Sequence, residues 1–133
     1  HLRLNDIVQQ EPLHNDPRND NSERQDARCQ VMREDRHVAR AVTIRRGDAF
    51  ETLKALEPSS VDILFLDGWK DFYLPFLKML EPKLAPGALV VGDDTKLFPE
   101  RLADYLAYVR DPKNGYHSVD LPMGDGVELS LRT

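Results

Sequence analysis

Residues 61–75 read VDILFLDGWKDFYLP: a nearly unbroken apolar run from Val61 to Leu66, an Asp-Gly punctuation at 67 and 68, and then a return to apolar residues. A run of that length bounded by turn residues predicts a strand buried on both faces of a parallel sheet. Working outward, Tyr73 to Leu84 carries Leu74, Leu77, Leu80 and Leu84 at helical spacing, and Pro86-Gly87 is the stop signal for that helix. Ala88 to Val91 predicts a second buried strand. Leu97 to Arg110, with Leu102, Leu106 and Val109 on one side, predicts a helix on which Tyr105 and Tyr108 fall opposite the core face or at its border. Upstream, Ala41 to Ile44 predicts a short strand, Gly47-Asp48 a turn, and Phe50 to Leu56 a helix. The chain closes with two strand candidates, Tyr116 to Leu121 and Val127 to Leu131, joined hairpin-fashion through Pro122-Met123-Gly124-Asp125-Gly126.

Alternating strand and helix predicts an α/β fold, a sheet with crossover helices whose terminal hairpin makes the last strand antiparallel. The organised pattern occupies residues 41–133. Residues 1–40 are a polar arm: the stretch from Glu11 to Arg40 is rich in Asn, Asp, Arg and Pro and has too few large apolar residues to offset the entropy of ordering it. Ahead of it, Leu2, Leu4, Ile7 and Val8 suggest one face of a short helix, and Val31 with Met32 another.

Whole-chain arithmetic narrows the function classes. A length of 133 residues fits one small domain by the usual scale of roughly 100–200 residues each. With 18 basic and 23 acidic residues the net charge is -5, which argues against nucleic acid and anionic membrane as partners. No apolar run approaches the ~18 residues of a membrane span. A single cysteine, Cys29, excludes an internal disulfide and fits a reducing compartment, so the expected location is cytoplasmic.

In open α/β sheets, ligands bind at the carboxyl ends of the strands. Asp67 follows the first buried strand, and Asp93 with Asp94 follows the second, so three carboxylates converge on one edge. Their mutual repulsion makes a hard divalent cation such as Mg²⁺ a natural companion. The alternative is that each is a turn former or helix cap.

LFLDGWKDFYLP from Leu64 to Pro75 closely resembles a segment of catechol O-methyltransferase. The resemblance extends to GDAFETL (Gly47 to Leu53), PGALVVGDDT (Pro86 to Thr95), DYLAYVR (Asp104 to Arg110) and GDGVELS (Gly124 to Ser130), in the family's order and approximate spacing. It implies a Rossmann-like sheet of the class I methyltransferases, S-adenosylmethionine as cofactor and, in the catechol-type branch, a catalytic Mg²⁺. By resemblance, Asp67, Asp93 and Asp94 are the metal ligands. The family usually has Asn at the position of Asp94, so this site carries one more negative charge. Lys70 matches the general base on the substrate hydroxyl, and Glu128 the acid that holds a second hydroxyl. Trp69 and Asp67 line the cofactor pocket, Gly68 stands where the catechol enzyme has His, and Asp48 with Ala49 matches the adenine contact. The implied reaction is methyl transfer to a hydroxyl of a small catechol-like or phenolic substrate. Without the resemblance, Lys70 reads as a solvated lysine and Glu128 as a charge on an edge strand.

The family's glycine-rich loop has no counterpart here, because no glycine precedes Gly47. The expected sheet is therefore partial, the carboxyl half of the fold. Two expectations follow: a methyltransferase whose sheet is completed by another chain or a swapped segment, as a homo-oligomer, or a non-catalytic remnant that binds a metal or a partner.

Overall fold

The apolar runs at residues 61–66 and 84–93 lie side by side as parallel strands, and they organise the larger part of the molecule. A computed structural model describes residues 6–10, as backbone, and 43–133. Most of the proposed polar arm, including Val31, Met32 and Cys29, lies outside the described residues. By its internal contacts the chain divides between Thr52 and Leu53 into two compact units.

The first unit holds β1 (Asp6–Gln10) and β2 (Thr43–Gly47), paired in parallel with Ile7 opposite Ile44, and the single-turn helix α1 (Ala49–Thr52). The helix expected around Ile7 and Val8 is thus a strand. Both residues are β-branched, a preference for extended backbone that a parallel partner reinforces over a loose 3.6-residue pattern. The helix expected from Phe50 to Leu56 is also cut to one turn.

The second unit runs β3 (Val61–Leu66), a 3₁₀ turn at Lys70–Phe72, α2 (Tyr73–Leu80), a 3₁₀ turn at Glu81–Lys83, β4 (Leu84–Asp93), α3 (Ala103–Arg110), a 3₁₀ turn at Pro112–Asn114, β5 (Tyr116–Leu121) and β6 (Val127–Arg132). Its sheet has the order β3-β4-β6-β5, with β4 antiparallel to β6 and β6 antiparallel to β5. The expected terminal hairpin is therefore present, and the mixed sheet matches the α/β expectation. Glu128 lies on an interior strand, because β6 sits between β4 and β5.

Both helices of this unit are shorter than their apolar spacing predicts, and proline explains both. Pro82 terminates α2, and Leu84 becomes the first residue of β4. Pro86-Gly87 then lies inside the strand, where the register slips between the Val61↔Leu84 and Ile63↔Leu89 pairs; such an irregularity tolerates a residue that cannot donate to the ladder. Pro99 disfavours helical backbone at Phe98, and α3 begins only at Ala103.

One face of this sheet is covered. Tyr73, Leu77 and Leu80 of α2 and Leu102, Tyr105 and Val109 around α3 are buried, together with Val90, Ser130 and Glu128 of the sheet. Tyr105 is therefore a core residue, packed edge-to-face on Tyr73 at 5.5 Å between ring centres. Gly92 makes this packing possible: a Cβ there would stand 2.8 Å from both Cε1 and Oη of Tyr105. The other face carries Phe65, Val91, Leu129 and Val119 as one row across four strands. Phe65 is 59% exposed and Val119 50%, so the expectation that the Val61–Leu66 strand is buried on both faces is met on only one. Among the described residues, no helix is long and apolar enough to cross a membrane.

Candidate functional site

Strands β3 and β4 run parallel, so the residues that leave their carboxyl ends emerge on one edge of the sheet. Lys70, in the turn after β3, is the centre of that edge. It is 7% exposed, and burial at that level requires partners for an ammonium group. Nζ lies 2.7 Å from Oδ2 of Asp94 and 3.8 Å from Oδ1 of Asp67, and it donates to Oη of Tyr73 at 2.7 Å. The ammonium also stands 5.0 Å from the centre of the Tyr73 ring. The Tyr73 hydroxyl in turn donates to the carbonyl of Asp93 at 3.3 Å, which ties the start of α2 to the end of β4.

The Asp93-Asp94 turn is held by its own polar groups. Oδ1 of Asp93 accepts the backbone N–H of Asp94 at 2.9 Å, and the carbonyl of Asp94 accepts the N–H groups of Leu97 and Phe98. Asp94 adopts φ 60°, an unusual conformation for a residue with a Cβ. The loop beyond is fastened to the hairpin turn, as Thr95 N–H donates to the Gly126 carbonyl and Lys96 N–H to that of Asp125. Asp67 titrates above the ordinary carboxylate range: partial burial raises it, Lys70 pulls it back, and the charges of Asp93 and Asp94 raise it further.

Of the residues assigned from sequence, the structure thus brings together Asp67, Lys70 and Asp94, with Asp93 alongside through its backbone. Among the described residues, however, no group of three or more His, Cys, Asp or Glu side chains is arranged to hold a metal ion. The physical reason is visible in the contacts: the Lys70 ammonium stands between the Asp67 and Asp94 carboxylates, and Asp93 turns one oxygen to a backbone amide. The donor set does not fit Mg²⁺ as it stands.

Trp69 projects from the same turn and is 63% exposed, with the Arg101 guanidinium 5.4 Å from its ring centre. Arg101 is fixed by a two-point pair with Asp71, Nε to Oδ1 at 3.2 Å and Nη2 to Oδ2 at 2.6 Å. A cleft of about 470 Å³ opens beside these groups, lined by Lys70, Leu74, Lys78, Arg101, Asp104 and Tyr105 among others.

Glu128, expected to hold a substrate hydroxyl, has other partners. It is fully buried, and Arg110 grips both its oxygens, Nε to Oε1 at 2.9 Å and Nη2 to Oε2 at 2.6 Å. Ser118 donates to Oε1 at 2.6 Å and shares a 2.7 Å hydrogen bond with Ser130. Burial alone would raise its pKa, but the Arg110 and Ser118 hydrogen bonds and the Arg110 charge outweigh it and hold the carboxyl below its usual range. With no bond or ion pair to Lys70 or the aspartates, Glu128 is a saturated core group.

Asp48 and Ala49 lie in the first unit. Oδ1 of Asp48 accepts the N–H of Phe50 at 2.8 Å and its carbonyl those of Glu51 and Thr52, so Asp48 starts α1, and Ala49 is buried. Sequence reasoning passed over Tyr73, although its offset of three residues from Lys70 was a usable signal. It also gave Arg110 no role.

A family model described as a methyltransferase domain matches residues 3–95. A putative caffeoyl-CoA O-methyltransferase from Staphylococcus aureus is similar in structure, 18% identical, with 96% of this chain and 64% of that chain covered and a TM-score of 0.75. An SAH-bound methyltransferase from Podospora anserina has 19% identity, coverages of 96% and 60%, and a TM-score of 0.73. An O-methyltransferase from Bacillus cereus in complex with SAH has 14% identity, coverages of 95% and 62%, and a TM-score of 0.66. The chain spans less than two thirds of the length of each of these structures. The family match takes in most of the chain, from the β1 region through the Asp93-Asp94 turn. The chain belongs to the methyltransferase-domain family, and it carries, in a partial sheet, the Rossmann-like fold of the S-adenosylmethionine-dependent methyltransferases.

Proposed function

We propose that this chain carries the acceptor side of an S-adenosylmethionine-dependent O-methyltransferase acting on a small catechol-like or phenolic hydroxyl. The observation that supports this most is the buried Lys70, held by Asp94 and Tyr73 at the carboxyl ends of β3 and β4 in a chain of this family. Methyl transfer from a sulfonium is an in-line displacement: the acceptor oxygen forms the new C–O bond as the C–S bond breaks, and S-adenosylhomocysteine leaves. The acceptor proton must go to a base, and Lys70 takes it in this reading. Asp94 and the Tyr73 hydroxyl, each 2.7 Å from Nζ, hold the lysine in position. Trp69 and Asp67 border the cofactor, and Asp48 with Ala49 contacts its adenine, roles carried from the resemblance. No step passes through a divalent ion.

A second reading, a non-catalytic module, is favoured by one observation: Lys70 and Glu128 are both fully engaged with protein partners. Calorimetric titration of the 133-residue chain with S-adenosylhomocysteine separates the two. Saturable one-to-one binding, retained in Lys70→Met, is the expected result. Absence of binding at high protein concentration removes the catalytic reading for this chain.

A further inference from the structure

We propose that the open face of the four-stranded sheet docks a second copy of this chain, in a reversible dimer whose two sheets pack face to face about a two-fold axis parallel to the strands.

The face is apolar from one edge strand to the other. Phe65, Val91, Leu129 and Val119 form one row across the four strands, and Ile63, Leu89 and Leu131 form a second that ends in His117. Neither row holds an Asp, Glu, Lys or Arg, in a chain that is 31% charged. Phe65 is 59% exposed, Val119 50% and Leu131 42%, and contiguous apolar surface of this kind marks an interaction site.

Charge and size select the occupant and the strength of the contact. Each chain carries a net charge of -5, so two copies repel through their charged surfaces, and the two uncharged rows are where they can approach with least repulsion. Four strands about 4.8 Å apart, each rising about 3.3 Å per residue over the six residues of β3, β5 and β6, give a footprint of roughly 400 Å² before side-chain relief is counted. A standard interface buries about 800 Å² per partner, so this contact belongs to the weak, concentration-dependent class.

The row is also self-complementary. Strands β3 and β5 are the edges of the sheet, with β4 and β6 between them. A two-fold axis along the strands lays β3 of one copy on β5 of the other, and β4 on β6. Phe65 then faces Val119, and Val91 faces Leu129. The largest side chain of the row meets a small one, the alternation that lets facing sheets interdigitate about 10 Å apart.

Sedimentation velocity of the full chain, from about 10 µM to about 1 mM, tests the proposal. The parent is expected to rise from the monomer mass toward twice that value, with a dissociation constant of roughly 10–500 µM. Raising NaCl from about 0.05 to about 0.5 M is expected to strengthen the dimer, because salt screens the repulsion and leaves the apolar contact in place. Phe65→Lys and Val119→Lys, both at exposed positions, are each expected to weaken association by about tenfold or more by burying an unpaired charge, although each lowers the net negative charge. Mixing Phe65→Lys with Val119→Glu is expected to recover it, since the two new charges meet across the axis. A parent that stays monomeric to about 1 mM overturns the proposal and leaves the face to a partner of another kind, a result that needs no variant. Association that weakens with salt, or that both lysine variants retain, overturns it as well, and a mixture that stays dissociated overturns the two-fold pairing.

Discussion

Arg110 and Glu128 show what a single buried charge demands of its neighbours. The carboxylate has no exposed surface, whereas the guanidinium is 47% exposed, so the pair spans the boundary between core and water. Removing Arg110 leaves a buried anion with only the Ser118 hydroxyl, and breaking such pairs costs about 3–5 kcal/mol. Arg110→Ala is therefore expected to lower unfolding free energy in urea by about 3 kcal/mol, the lower end because water reaches this side. The pH dependence has a definite sign. Glu128 titrates lower in the folded chain than in the unfolded one, so its contribution is complete above the unfolded carboxyl pKa of about 4.3 and fades as pH falls through the folded value. Glu128→Gln is expected to flatten the acid limb of the stability profile below about pH 4.3; an unchanged limb contradicts this account of the residue. The resemblance singled out Glu128 and the alternation put it in a strand, but that strand read as an edge and the residue's partners were hidden, because Arg110 and Ser118 approach it only once α3 and β5 pack on β6. Lys70 was legible only through the resemblance, since by itself it reads as a solvated lysine; its burial comes from the turn after β3, which sets it against Tyr73 and Asp94.

Among the elements, the β5–β6 connection links the hairpin to the candidate site. Gly126 has φ 91°, and a Cβ on it would stand 2.6 Å from Thr95 Oγ1 and 2.7 Å from Lys96 Cγ. Its carbonyl and that of Asp125 hold the loop after Asp94. Gly126→Ala combines unfavourable backbone with a clash and is expected to cost about 1–3 kcal/mol, measured by thermal or urea unfolding. The amide protons of Thr95 and Lys96 are expected to exchange faster in the variant, since their acceptors shift; unchanged protection contradicts the fastening role. Strand identity was readable here from alternation and turn residues, and the boundaries of β5 and β6 follow it closely. The helices were less readable because apolar spacing continues past Leu80 and begins before Ala103, and only proline's backbone limits decide where the hydrogen-bonded turns stop.

At the scale of the molecule, two units share one chain: a parallel pair with a one-turn helix, and a four-stranded mixed sheet covered by α2 and α3 on one face. Burial on that covered face places Lys70, Tyr73 and the aspartates at its carboxyl edge, while the row from Phe65 to Val119 leaves apolar side chains exposed on the other. The strand content of this layout was legible because parallel strands are marked by apolar composition. Coverage was not, since a strand with one covered face and one open face can carry the same residues. The central proposal is that the chain carries out methyl transfer to a hydroxyl oxygen through Lys70. The most direct measurement is transfer of label from S-adenosyl-[methyl-³H]methionine to a set of vicinal diols and phenols, by the parent chain and by Lys70→Met. The account predicts a labelled O-methyl ether with the parent and a loss of roughly 10²–10⁴-fold in Lys70→Met at unchanged S-adenosylhomocysteine affinity. Equal transfer by the two proteins, or no transfer to any acceptor by a parent that binds S-adenosylhomocysteine, contradicts it.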